Sequence, residues 1–136
     1  PAHRVILANE GALAEQAVGQ ALRAADQRFR EPKLYYWSRE RRGSNGEVDY
    51  VLQHGTHVVP VEVKAGSTGS LKSVHLFVAL RGVPLAVRFN ADIPSIVDVS
   101  VRTTTGQPVQ YRLLSLPAYL AEKVHDWIAL ALEESS

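Results

Sequence analysis

The 136-residue chain contains no cysteine and no methionine, and nowhere does it hold a long apolar run. Without cysteine, disulfides, zinc thiolate sites and thiol catalysis are excluded, and the composition fits a cytoplasmic protein. No apolar run approaches the roughly 18 residues that span a bilayer, and no signal peptide opens the chain. The missing methionine and the start at Pro1 lead us to expect a domain taken from a longer protein.

The charge balance is close to neutral but unevenly distributed. A formal net charge of +1 gives no overall field that attracts nucleic acid. Between residues 28 and 42, however, six basic residues stand against two acidic ones. This stretch, with Arg39, Arg41 and Arg42 at its end, predicts either a phosphate-binding basic patch or a solvated loop.

Length and composition predict a single globular domain over residues 1–136. Hydrophobic periodicity predicts a mixed α/β fold in the order α-β-β-β-α-β, with a late strand and a C-terminal helix. The predicted helices cover residues 10–29, 70–80 and 117 onward, and the predicted strands cover residues 34–37, 48–53, 57–65, 84–89 and 109–114. Residues 93–102 are ambiguous, a turn followed by a strand being one interpretation. Asn9 and Ser70 are the predicted helix caps.

The third predicted strand carries an acid and an amine in otherwise apolar sequence. Glu62 and Lys64 are two residues apart and therefore share a face. Asp49 interrupts the preceding apolar strand in the same way. For an isolated Glu-x-Lys, the alternative is a plain salt bridge on a solvated face, but the nearby Asp49 favours a metal site.

The connection between these two strands decides how the carboxylates meet. A two-residue turn at Gly55 and Thr56 would place Asp49 directly across from Glu62, whereas other turns would shift the register. Like charges that face each other across strands destabilise a sheet. A divalent cation between two carboxylates turns this repulsion into a net attraction. Magnesium prefers one or two carboxylates together with water.

Other polar residues allow two interpretations each. Ser70 and Lys72 open the helix that follows the Glu-x-Lys strand, where a substrate phosphate would meet backbone amides and a cation; ordinary capping and a solvated lysine are the alternatives. The five histidines show no metal-binding spacing. His54 and His57 flank the predicted turn and are expected at the surface.

Several blocks along the chain resemble one family. They are residues 11–15 (Gly-Ala-Leu-Ala-Glu), 35–37 (Tyr-Tyr-Trp), 46–50 (Gly-Glu-Val-Asp-Tyr), 61–66 (Val-Glu-Val-Lys-Ala-Gly) and 116–121 (Leu-Pro-Ala-Tyr-Leu-Ala). With its blocks in this order, the chain resembles the PD-(D/E)XK phosphodiesterase superfamily, which has a restriction-endonuclease-like core. More narrowly, it is similar to the uncharacterised domain at the C-terminus of many bacterial AAA+-type ATPases.

The resemblance implies roles for individual residues. Asp49 and Glu62 would be ligands of Mg²⁺ or Mn²⁺, with the backbone carbonyl of Val63 as a candidate third ligand. Lys64 would be the catalytic lysine, and Glu15 would be an outer or direct acidic contributor.

The resemblance also implies a function and partners. The expected function is metal-dependent hydrolysis of a DNA backbone, with phosphate contacts from Arg39, Arg41, Arg42, Ser70 and Lys72. The first alternative is a catalytically silent module that binds nucleic acid or docks onto an AAA+ ATPase in cis or in trans. A plain structural domain with surface ion pairs is the second. The chain holds no glycine-lysine nucleotide loop of its own.

Overall fold

The computed structural model describes residues 10–27, 34–35, 48–64, 71–89 and 91–134. The elements, in chain order, are α1 (Glu10–Gln27), β1 (Leu34–Tyr35), β2 (Tyr50–His54), β3 (His57–Val63), α2 (Lys72–Arg81), β4 (Leu85–Phe89), β5 (Ser95–Arg102), β6 (Pro108–Leu116), a 3₁₀ helix (Ala118–Lys123) and α3 (Val124–Glu134). None of the described helices combines the length and apolar character that crossing a membrane requires.

The strands form one mixed sheet in the order β1-β2-β3-β4-β6-β5. The two central pairs, β3 with β4 and β4 with β6, are parallel. The three outer pairs are antiparallel. Helix α2 provides the crossover between the parallel strands β3 and β4. The predicted α/β fold with one mixed sheet is therefore confirmed.

A two-residue turn joins β2 to β3, which is one of the connections that the sequence left open. His54 pairs with His57, and the ladder continues to the pair of Tyr50 with Val61. Gly55 adopts a left-handed conformation with φ 61°, which glycine reaches without the steric cost that a Cβ atom brings. The turn thus fixes the register of the two strands that carry Asp49 and Glu62.

Each face of the sheet buries its own hydrophobic core. The α1-side core lies beneath α1, the 3₁₀ helix and α3, and its largest buried side chains include Leu22, Leu52, Leu85, Phe89 and Leu114. The α2-side core lies beneath α2 and includes Val51, Val74, Phe77, Ala86 and Leu113. Because residues alternate between the faces along each strand, the side chain of every strand residue has a defined side of the sheet.

The ambiguous segment at residues 93–102 contains an eight-residue strand, β5. It pairs with β6 over its whole length, from Ser95 opposite Ser115 to Arg102 opposite Pro108. As an edge strand it is mostly exposed, and Val97 is 50% exposed. This exposure explains why its sequence lacks a clear apolar alternation.

Two helix starts differ from the prediction. The N-cap of α2 is Leu71, which makes no side-chain cap; Ser70, the predicted cap, lies outside the described residues, as does Asn9. After Pro117 the chain first forms a 3₁₀ helix, in which the amide of Leu120 donates to the carbonyl of Pro117 at 3.0 Å, and only then continues as α3.

A close contact between α1 and β2 yields a prediction about stability. The hydroxyl of Tyr50 donates to the backbone carbonyl of Glu15 at 2.9 Å, and its ring lies directly against Gly19. A Cβ atom at Gly19 would come within 2.8 Å of Tyr50 Cζ and closer still to its oxygen. We therefore expect Gly19→Ala to destabilise the domain by about 1–3 kcal/mol, although glycine to alanine in an exposed helix usually stabilises.

Thermal unfolding of Gly19→Ala, Tyr50→Phe and the double variant measures this effect. The double variant should be more stable than the sum of the two single changes predicts, because removing the hydroxyl relieves the worst overlap. A Gly19→Ala protein that melts above the wild type would contradict this packing of α1 on β2.

Candidate functional site

Asp49 lies in a bend immediately before β2, whereas the sequence predicted it inside the strand at residues 48–53. Its carboxylate oxygen Oδ2 accepts a hydrogen bond from the backbone amide of Val63 at 2.7 Å. The last ladder pair is Tyr50 with Val61, so the side chain of Asp49 extends the contact between the two strands where the backbone ladder stops. This bond holds the Asp49 carboxylate beside the C-terminal end of β3.

Glu62 is nearly buried at the same end of β3. Its neighbours Val61 and Val63 pack on the α1-side core, so Glu62 points to the opposite face, where α2 lies. The side chain is 12% exposed, and its Oε1 atom lies 3.1 Å from Lys64 Nζ. Its Oε2 atom is buried and has no hydrogen-bond partner among the described residues. Buried carboxylate oxygens normally have partners, so this atom is under-satisfied.

The two carboxylates and the lysine form one electrostatic unit. Burial is the main cause that raises the pKa of Glu62, to about 7, and the charge of Asp49 raises it further. The charge of Lys64 and its hydrogen bond lower the pKa. Two acids therefore share a site in which the existing lysine compensates only part of their charge.

The register extends this site into a row of polar residues across the sheet. Glu62 pairs with Arg88 on β4, and Arg88 pairs with Ser115 on β6. We call Glu62, Arg88 and Ser115 the polar row. Arg88 is half-buried and Ser115 is 2% exposed. Burial raises the pKa of Tyr111 to about 12, and the charge of Arg88 opposes part of this rise.

Sequence reasoning missed Arg88 and Ser115. Arg88 interrupts the apolar strand Leu85–Phe89 in the way that Glu62 interrupts β3. A charged residue in an apolar strand could therefore have identified Arg88 as a candidate site residue. Ser115 carries no such signal, because a serine in an apolar segment is common and only the long-range pairing places it beside Arg88.

Glu15 is half-buried on α1. Its backbone carbonyl is tied to Tyr50, the residue after Asp49, but α1 covers the face of the sheet opposite to Glu62. Among the residues that the structure describes, no group of three or more histidine, aspartate or glutamate side chains is arranged to hold a metal ion. The structure thus brings together Asp49, Glu62 and Lys64. Glu15 does not join the two other acids in a group that could hold a metal ion.

The predicted phosphate-binding residues lie elsewhere or outside the described part of the chain. Lys72 lines a cavity of about 140 Å³ together with Arg102 and Thr103. Arg102 pairs with Pro108, seven residues along β6 from Ser115 in the polar row. At about 3.3 Å per residue this separation is on the order of 20 Å, so Lys72 does not adjoin the acidic pair. The other four, Arg39, Arg41, Arg42 and Ser70, lie outside the described residues.

The raised pKa of Glu62 predicts a pH dependence of stability in the metal-free protein. The folded state holds this proton more tightly than the unfolded chain, whose pKa is near 4.5. Stability from this group is therefore complete below pH 4.5 and is lost as the pH rises through about 7. At about 1.4 kcal/mol per pKa unit, the loss approaches about 3 kcal/mol.

Urea unfolding across this pH range, with a chelator present, checks the effect. Glu62→Gln should remove the loss of stability, whereas Glu122→Gln, at an exposed carboxylate, should retain it. If stability changed with pH in the same way in the wild type and in Glu62→Gln, folding would not raise the pKa of Glu62.

Comparison with known proteins places the chain in a family. No curated protein and no solved structure matches it. The family model described as a domain of unknown function, DUF4143, matches residues 10–112. The matched segment contains Glu15, Asp49, Glu62, Lys64 and Arg88, and it ends within β6. Because the match covers well over half of the 136 residues, the chain belongs to the DUF4143 family.

Proposed function

We propose that this domain is a divalent-metal-dependent phosphodiesterase of the PD-(D/E)XK type that hydrolyses a DNA backbone. The observation that supports the proposal most directly is the arrangement of Asp49, Glu62 and Lys64 at the end of β3. Two carboxylates lie close enough for the charge of Asp49 to raise the pKa of Glu62, and Lys64 contacts Glu62.

The donor set fits a hard cation such as Mg²⁺ or Mn²⁺. Glu62 Oε2 is buried without a partner among the described residues, and a bound cation would satisfy it. Asp49 contributes the second carboxylate, which its bond to the Val63 amide holds in place. Mg²⁺ commonly takes one or two carboxylates and fills its remaining positions with water and substrate oxygens. The carbonyl of Val63 is a candidate further ligand, and Glu15 is a candidate outer acid.

The reaction is the hydrolysis of a phosphodiester. The hydroxyl of a water molecule adds to phosphorus, the bond from phosphorus to the leaving oxygen breaks, and the proton of that water passes to the leaving oxygen. A bound Mg²⁺ polarises the phosphate and makes water more acidic. Lys64 donates hydrogen bonds to phosphoryl oxygens and offsets the negative charge that develops on them. Asp49 and Glu62 would hold the ion, and their carboxylate oxygens would orient water by accepting hydrogen bonds from it.

The first test is metal binding. Mg²⁺ or Mn²⁺ at ten times its dissociation constant should stabilise the wild type by about 1.4 kcal/mol, visible as a rise of several degrees in the melting temperature. Asp49→Asn should abolish the rise, because a neutral amide is a poor ligand, while its carbonyl oxygen still accepts the Val63 amide. Asp98→Asn, at an aspartate whose side chain is 80% exposed, is the matched control and should respond like the wild type. An equal response in Asp49→Asn would place the ion elsewhere.

The second test is cleavage. Wild type with Mg²⁺ or Mn²⁺ should cut at least one of duplex, branched or single-stranded DNA. Lys64→Ala should retain the metal response but lose about a hundredfold or more in rate, the usual scale for a positioned charge-stabilising group. Glu62→Gln should lose both properties. The control is Lys123→Ala, at an exposed lysine, which should cut at the wild-type rate. A cleavage rate unchanged in Lys64→Ala would refute the proposed role of this lysine.

Nucleic-acid affinity separates the enzyme from its alternative. Replacing Arg39, Arg41, Arg42 or Lys72 should reduce the salt dependence of DNA binding by about one unit of slope for each replaced side chain that binds a phosphate. Salt-dependent binding without cleavage of any substrate would favour a silent nuclease-fold module. The absence of both binding and cleavage would favour a protein partner, for which an AAA+ ATPase in cis or in trans is the candidate.

A further inference from the structure

A pair of histidines links the β2–β3 hairpin to the C-terminal helix, at the end of the sheet opposite to the acidic site. His54 ends β2 next to the two-residue turn, and His125 is the second residue of α3. His54 is half-buried, and His125 is only 6% exposed. The sequence predicted His54 at the surface; the structure leaves it partly exposed, because His125 of α3 packs against it.

The two imidazoles make a direct hydrogen bond. Their Nδ1 atoms are 2.9 Å apart, and the rings stack with centroids 5.1 Å apart and planes inclined by 19°. One Nδ1 must donate and the other must accept, so at least one ring must be neutral. A pair that carries one extra proton can keep the bond, since the charged ring donates to the neutral one. Two charged rings would place two donors and two positive charges against each other.

The surroundings of His54 oppose a positive charge on its ring. Burial is the main cause that lowers the pKa of His54, and the charges of His125 and His57 lower it further. His57 is the residue paired with His54 across the turn. On the elements packed around the pair, the other charged residues whose side chains the structure describes are Glu15 and Arg23 of α1, Arg112 of β6, Glu122 and Lys123 of the 3₁₀ helix, and Asp126 and Glu133 of α3. None of these is among the causes that shift the pKa of His54.

The segment that the histidine pair joins to the sheet contributes several side chains to the α1-side core. The 3₁₀ helix and α3 bury Ala121, Val124, Ile128 and Ala131 completely. A second polar link between α3 and the sheet is the bond from Arg112 Nη1 to the carbonyl of Ala131, at 3.2 Å, toward the far end of the helix. The histidine pair therefore anchors the first turn of α3, and Arg112 anchors its last turns.

We infer that the His54–His125 pair is a proton-operated lock, which holds the start of α3 against the β2–β3 hairpin while one ring is neutral and releases it when both rings are protonated. The sign follows from the lowered pKa of His54: the folded state binds this proton less tightly than the unfolded chain. The stabilisation is present above the ordinary histidine pKa of 6.5 and is lost as the pH falls through the lower folded value. The lock is independent of any metal or nuclease chemistry.

Hydrogen exchange of the full chain at pH 7.5 and pH 5.0, corrected for intrinsic exchange rates, tests the lock. Protection of α3 amides should fall at the lower pH, because two charged rings cannot share the hydrogen bond between their Nδ1 atoms, while α2 should change less. In His54→Asn the side-chain amide occupies the place of Nδ1–H and can either donate to or accept from His125. This variant should keep α3 protection nearly equal at both pH values.

The matched control is His75→Asn. His75 is also half-buried, and burial lowers its pKa, but it packs against Tyr111 on the other face of the sheet. This variant should retain the wild-type response of α3. If α3 responds to pH alike in the wild type and His54→Asn, or does not respond in the wild type, the lock does not exist. Should His54→Asn fail to fold, nitrogen NMR of the wild-type imidazoles decides: coupled titration of the two rings supports the lock, and independent titration overturns it.

Discussion

The two-residue turn at Gly55 and Thr56 fixes the pairing of β2 with β3, and with it the face of the sheet on which Glu62 lies. Side chains alternate along a strand, so a slip of one residue would turn Glu62 into the α1-side core. The parallel pairs extend the same register to Arg88 and Ser115. The polar row and the bond of Asp49 to Val63 therefore exist only in the register that this turn sets.

Most of the fold was predictable because its core elements follow simple periodicities. The short apolar run of β3 and the helical stripe of α1 each identify their element, and Gly55 identifies the turn. The rest depended on tertiary contacts. The edge strand β5 is defined by its pairing with β6 and not by burial, so its sequence was ambiguous. The 3₁₀ helix after Pro117 is not distinguishable by composition from the start of an ordinary helix.

The candidate site was predictable to the extent that it lies in local sequence. Glu62 and Lys64 are two residues apart, and the turn predicted the approach of Asp49 to Glu62. That Asp49 stands in a bend and bonds to the Val63 amide was not predictable, because the end of a strand ladder leaves no mark in the sequence. The histidine pair joins residues 71 positions apart, and neither histidine carries a metal-binding or catalytic spacing. Such contacts arise from packing, which periodicity does not encode.

The acidic pair and the histidine pair impose opposite pH dependences on one small domain. The contribution of Glu62 is complete below pH 4.5 and is lost as the pH rises through about 7. The contribution of His54 is complete above pH 6.5 and is lost as the pH falls through its lower folded pKa. In the interval between the two folded pKa values, each contribution is therefore present only in part. A cation at Asp49 and Glu62 would replace the proton of Glu62 and remove the alkaline limit, while leaving the acid limit at the histidines. Occupancy of the acidic site would then widen the stable pH range only toward the alkaline side, since the two pairs lie at opposite ends of β3 and share no residue.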